Sequence, residues 1–326
     1  MTTPNPNLPH NKHRRHQRGA ALLILMLLVM LGLITLFTFR MDRKGPELNA
    51  NRQTALALVQ AKEAILGRGL INGIPTGTKQ NPGALPCPDR NNDGQSDNIL
   101  TQCIGGGTPT SILPANTGRV PWVTLAIDDL RDGAGETLWY IIAPEFVDTG
   151  NPINSATTVP SLQLVQNGVA TKVAGIVIAP GRPLPGQNRT ASNTLSNYVE
   201  GYNSATTTFT VSPTSATYND RVLPITAQDV FTIVTRRMTR ELAQGIGSPP
   251  GIPPFPTTIS AADTQMGSTS TWSINNWGNG AIASYVVSGA NNDHIVLTYK
   301  QCTNQVFTIQ WNTATNTSDV TWTSHC

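Results

Sequence analysis

Asp89, Asn91 and Asp93 occupy alternate positions in Pro86-Cys87-Pro88-Asp89-Arg90-Asn91-Asn92-Asp93-Gly94-Gln95-Ser96-Asp97. Oxygen-bearing side chains at that spacing can converge when the backbone turns tightly, and Gly94 permits the turn. Gln95 adds a backbone carbonyl and Asp97 stands in the ninth position. The set matches the first three-quarters of a calcium loop of the EF-hand type. Its twelfth position is Leu100 rather than a bidentate glutamate. A Ca2+ ion would therefore need further ligands, for which Asp128 and Asp129 are candidates. Such an ion is expected to be structural, because no catalytic group accompanies it. The competing reading is an Asx-rich turn between a proline and a cysteine.

Cys87, Cys103, Cys302 and Cys326 cluster in pairs along the chain. Pairing Cys87 with Cys103 and Cys302 with Cys326 closes two local loops, one of three possible connectivities. No CxxC spacing points to zinc, and disulfides imply an oxidising compartment. Trp272, Trp277, Trp311 and Trp322 lie in the last quarter. They could stack on the apolar faces of a surface glycan, or form the core of a small β structure, which is the favoured reading. Of the five histidines, His10, His13 and His16 precede any folded region, leaving His294 and His325. HExxH, G-x-S-x-G and phosphate-cradling loops are all missing from the sequence. A carboxylate pair for glycoside hydrolysis leaves no local signature. The expectation is a protein that is not an enzyme.

These residues need elements to hold them. Ala20 to Phe39 is a run without a charge, about 30 Å long as a helix, which equals a hydrocarbon core. It exceeds the apolar core of a cleaved secretory signal. Lys12, Arg14, Arg15 and Arg18 precede it with no acid among them. That cluster predicts a cytoplasmic N-terminus, with everything after the span exported. It also accounts for the formal +3 of the chain, so the remainder is near neutral and no nucleic-acid partner is expected.

Gly45-Pro46 permits a kink. Leu48, Ala55, Leu58, Val59, Ile65 and Leu66 then mark an amphipathic helix reaching about Leu70, where Gly67, Gly69 and Gly73 are expected to end it. Val173 to Ile178 reads as a strand buried on both faces. Thr226 with Asp229 opens a helix through Val230, Ile233, Val234 and Leu242, with Arg236, Arg237 and Arg240 on a solvated basic face. Residues 248–257 read as a stiff Pro-rich linker. Beyond it, Ile282–Val287, His294–Tyr299, Val306–Trp311 and Val320–Trp322 alternate as antiparallel strands.

The layout of basic leader, apolar helix and exported head resembles the type IV pilin and pseudopilin superfamily, through Gln17-Arg18-Gly19-Ala20-Ala21-Leu22-Leu23. The resemblance implies cleavage by a prepilin peptidase between Gly19 and Ala20 and methylation of the new terminus. Two departures stand out. Ala20 replaces the usual aromatic, and Ile24 replaces the glutamate that pairs with a neighbour's amine, as in some minor members including the K-type pseudopilin. Leu85 to Asp89, Gly118 to Leu125, Asp128 to Ile142, Ala174 to Gly181, Tyr198 to Gly201 and Asn219 to Thr226 resemble minor-pilin-like proteins of Gram-negative bacteria. The implied fold is α+β: a long N-terminal helix, half membrane-spanning and half amphipathic, packed on an antiparallel β-rich head with a small C-terminal all-β region. The divisions are 1–19 (leader), 20–39 (span), 40–70 (helix extension), 71–247 (head), 248–257 (linker) and 258–326 (Trp-rich β region). The implied partners are other pilin subunits, the peptidase and membrane lipid. The implied role is a filament subunit in secretion or adhesion; the alternative is a permanently anchored binding protein for a glycan or polymer.

Overall fold

A computed structural model describes residues 17–42, 45–71, 80–97, 103, 116–147, 149, 151–190, 193–323 and 326. The leader before Gln17, Leu100 and His325 lie outside these, as do the side chains of Gly19 and Ala20. The chain divides into two units, Met1–Asn51 and Arg52–Cys326.

The first unit contains helix α1, Gln17–Asp42. Its side chains are described for residues 22–35, which span roughly 20 Å against the roughly 30 Å of a hydrocarbon core. Among the described residues no helix is long and apolar enough to cross a membrane. Helix α2, Gly45–Ile71, runs into the second unit. Its buried stripe is Thr54, Ala57, Leu58, Ala61, Ile65 and Leu66, whereas Leu48 and Val59 are exposed and Ala55 faces outward too. The expected stripe was therefore rotated by part of a turn, because the small residues Ala57 and Ala61 permit the close approach. The helix also passes through Gly67 and Gly69 rather than ending there. A Cβ on Gly69 would meet Leu85 at 3.0 Å, so glycine here serves packing.

The second unit continues with β1 (Thr117–Arg119), α3 (Trp122–Leu125), β2 (Trp139–Ile142), β3 (Gln163–Gln166), β4 (Val169–Lys172), β5 (Gly175–Ala179), β6 (Tyr202–Asn203), β7 (Thr208–Val211) and β8 (Arg221–Ile225). Then follow α4 (Ala227–Gly245), α5 (Ile259–Met266), α6 (Thr271–Ile274), β9 (Ile282–Ser288), β10 (His294–Tyr299), β11 (Cys302–Asn312) and β12 (Thr317–Trp322). The central sheet, ordered β1-β2-β5-β8, is antiparallel throughout. Strands β2 and β5 are buried along their whole length, as the unbroken apolar run predicts. Pro224 sits in β8 at the sheet's edge, where its missing N–H costs no ladder bond. A second sheet, β4-β3-β7-β6, holds one parallel pair, β3 with β7. The third, β12-β11-β10-β9, is wholly antiparallel and forms the C-terminal all-β region.

Helix α4 joins the layers. Thr226 Oγ1 accepts from Asp229 N at 3.0 Å while Asp229 Oδ2 accepts from Thr226 N at 2.7 Å, the reciprocal capping box that its sequence predicts. Val230, Phe231, Val234, Met238 and Leu242 are buried at helical spacing. Phe231 lies 6.4 Å from Trp277, Trp277 5.6 Å from Tyr299, and Tyr299 5.6 Å from Phe307. One aromatic core thus runs from the head into the last sheet. Residues 248–257 are turned rather than extended: Gly251 N bonds Ile246 O, and buried Phe255 donates its N–H to Asn292 O. A linker cannot stay extended where its own apolar residue has a core to enter.

Candidate functional site

The 89–97 loop is built by its own polar groups. Asp89, 1% exposed, receives Asn92 N (2.6 Å) and Asp93 N (3.3 Å) on Oδ1 and Gly94 N (2.7 Å) on Oδ2. Asn91 Oδ1 accepts from Asp93 N, Asp93 Oδ1 from Gln95 N, and Asp93 Oδ2 from Asn91 Nδ2. This is a nested Asx turn, one of the two readings open from sequence. Gly94 has φ +81°, and a Cβ there would strike the Trp122 ring at 2.6 Å. The loop is therefore braced by α3, while Asp89 also pairs with Arg119 of β1 through both backbone groups.

Burial pushes the Asp89 carboxyl above its usual range, against the pull of the three backbone N–H groups. Burial likewise raises Asp97, with Arg90 pulling the other way and the Asp89 and Asp93 charges adding to the rise. The donor set is all oxygen, which suits a hard cation; Asp89 Oδ1 already accepts two N–H groups, whereas Asp89 Oδ2 and both Asp93 oxygens each accept one. Among the described residues no three His, Cys, Asp or Glu side chains converge as a metal-holding group. Asp129 is engaged by Arg131 at 2.5 Å. Cys87 is joined to Cys103, closing the loop's far side, and Cys302 to Cys326.

The tryptophans separate into distinct environments. Trp272 and Trp277 are 0% exposed, and Trp272 Nε1 donates to Asp263 Oδ1 at 2.7 Å. Neither offers a face to a sugar: Trp272 packs against Tyr299 and bonds Asp263 of α5, and Trp277 packs against Phe231 of α4 and Tyr299. Trp322 is partly buried beneath Arg236 and Arg240, whose guanidinium carbons lie 4.9 and 5.2 Å from its ring. Trp311 is half-buried at the end of β11, beside a shallow recess lined by Gln310, Asn312, Thr313, Asp319 and Thr321.

Two polar centres carried no role in the sequence reading. Arg119 lies 4.8 Å from both the Trp139 and Tyr198 rings, and Arg189 reaches Tyr198 at 4.9 Å. The second centre is Asp220, whose Oδ2 accepts from the N–H groups of Glu200 and Gly201 just before β6. The only available signal was an acid directly before the apolar strand β8, and its partner lies about twenty residues earlier.

No family model, no curated protein and no solved structure matches the chain.

Proposed function

We propose that the protein is a structural subunit of minor-pilin or pseudopilin type. It would act at or near the tip of a type IV pilus or type II secretion filament, in assembly or adhesion. The observation supporting this reading is the surface of α1. Its large apolar residues between Leu22 and Ile34 are all 54–69% exposed, and no polar side chain lies among them. Soluble monomers rarely present so continuous an apolar surface. Lipid tails cover it before assembly, and neighbouring subunits' helices cover it afterwards. Extraction from the bilayer then becomes tolerable only in the presence of other pilins.

The test is fractionation of cells with and without the prepilin peptidase, with mass spectrometry of the mature N-terminus. Cleavage after Gly19 and recovery in sheared filaments are expected. A chain that stays full-length and never enters sheared filaments defeats the filament reading. Ala20 and Ile24, which depart from the family's usual residues, favour a second reading. In it the uncleaved helix permanently anchors a periplasmic or surface binding protein, with Trp311 the ring best placed for a glycan.

Calcium belongs to the same reading as a structural ion for the 89–97 loop. Asp89, Asn91, Asp93, Asp97 and the Gln95 carbonyl would hold it, and its charge would relieve the crowded carboxylates. A chelator should lower the thermal midpoint of the wild type and leave Asp93→Ala unmoved. Equal shifts, or none, would remove calcium.

A further inference from the structure

Glu200 lies just before β6 and Asp220 just before β8. Asp220 is 5% exposed. Its Oδ2 accepts from Glu200 N at 2.8 Å and Gly201 N at 3.3 Å. Its Oδ1 is buried and receives no N–H or O–H donor. The Glu200 carboxyl group is docked beside it, on the N–H of Asn219, the residue next to Asp220. Glu200 is itself held in place, with Oε1 accepting from Gln187 Nε2 at 2.6 Å and Oε2 from Asn219 N at 3.3 Å.

The surrounding charges do not neutralise the pair. Arg189 sits one side chain away, donating to Gln187 Oε1 at 2.8 Å, to Gly181 O at 2.7 Å and to Asn197 O at 2.6 Å, and pairing with Glu136 at 3.3 Å. No ion pair to Glu200 or Asp220 is found among the described residues. Tyr218, from the segment leading to β8, faces both acids; burial and the Asp220 charge push its hydroxyl up to about 12, so it stays neutral. Asp132 is turned elsewhere, its Oδ2 accepting from Gly181 N at 2.8 Å.

Two ionised carboxylates side by side, one of them almost wholly buried, would repel each other strongly. One proton between them turns the contact into a short charge-assisted O–H···O bond and satisfies the orphaned oxygen. We propose that Asp220 keeps a proton facing the Glu200 carboxyl group, and that this proton latches the strap of residues 193–201 onto the segment entering β8. Loss of the proton at alkaline pH releases the strap, which otherwise covers Trp139 through Tyr198.

Burial, then the Glu200 charge, raises the Asp220 carboxyl from 3.8 to about 8. The folded state therefore keeps a proton that the unfolded chain gives up. The pair's contribution to stability is complete below about pH 4, declines as pH rises and is gone above about pH 8. This is opposite in sign to an ordinary carboxylate ion pair.

The test uses the full chain in detergent. Asp220→Asn keeps the shape and places an amide N–H against Glu200; Glu200→Gln does the same from the other side. The wild-type thermal midpoint should fall between about pH 5 and pH 9 relative to both variants. A buried carboxylic-acid C=O band should appear in its infrared spectrum near neutral pH and be missing from both variants. Parallel midpoint curves, or no such band in the wild type, would overturn the latch. So would calcium restoring the wild-type midpoint at high pH but not that of Asp220→Asn, because the pair would then hold a cation.

Discussion

Helices α1 and α4 are both rich in apolar residues, yet they are treated in opposite ways. In α4 the apolar positions recur every three or four residues and are buried from Val230 to Leu242. In α1 they run on all sides and stand exposed from Leu22 to Ile34. The difference lies in pattern rather than content. A one-sided helix finds its partner within its own chain, whereas an all-round apolar helix demands another environment. The head explains its own stability, and α1 does not.

The comparison is broken most directly by adding charge. Leu27→Lys with Leu31→Lys in α1 should abolish pelleting with membranes in carbonate extraction, since each lysine costs about 3 kcal/mol at a helix centre. The folded head should survive, as judged by near-ultraviolet circular dichroism. Val234→Lys in α4 should reverse both outcomes, and pelleting of a folded double-lysine variant would remove lipid from the account. Next in size is Phe231→Ala, which empties the junction between Phe146 and Trp277. It should lower unfolding stability by about 3–5 kcal/mol, read as a lower urea midpoint.

A smaller effect concerns how α2 is tied to α4. Lys62 Nζ donates to Asp229 Oδ2 at 2.8 Å and to Pro224 O at 3.0 Å. Burial alone would raise the Asp229 carboxyl, but the bonds from Lys62 and Thr226 outweigh it and hold it below 3.8. This stabilisation is complete above the usual carboxylate range and is lost as pH falls through the lowered value. Lys62→Met should cost about 1 kcal/mol at neutral pH, because the pair is partly solvated. The cost should vanish in acid, as guanidinium titrations at each pH would show. Thr226→Ala, which removes one half of the capping box, should cost about 1 kcal/mol, measured the same way. A cost that persists in acid for Lys62→Met would mean the contact is packing rather than charge.

The sequence disclosed what is local. The Thr226/Asp229 box is set by residues three apart, and alternation in 282–322 marks strands because side chains reverse face at every residue. Val173 to Ile178 was legible as a buried strand from its unbroken apolar run. Long-range pairing was not legible. Arg236 and Arg240 read as a solvated face because Trp322, which they cover, comes some eighty residues later. Arg237 likewise bonds Leu70 O and Gln80 Oε1 from the far end of the head. The tryptophans could not be sorted in advance, since composition does not say which ring a later helix will cover. In the 89–97 loop the same spacing serves either a cation or an Asx turn, and only geometry displays the turn.

The cover on α4 arrives late. Strands β11 and β12 pack on α4, and Cys326 N reaches Thr232 Oγ1 at 3.2 Å, yet all of them follow α4 in the chain. During synthesis the helix can form while part of its apolar face waits for residues 302–326. Until those residues arrive, that face is a liability for association with other chains. The Cys302–Cys326 disulfide ties the start of β11 to the segment beyond β12. The head is therefore committed only once β11, β12 and Cys326 are in place, and deletions there should be read first as defects of maturation.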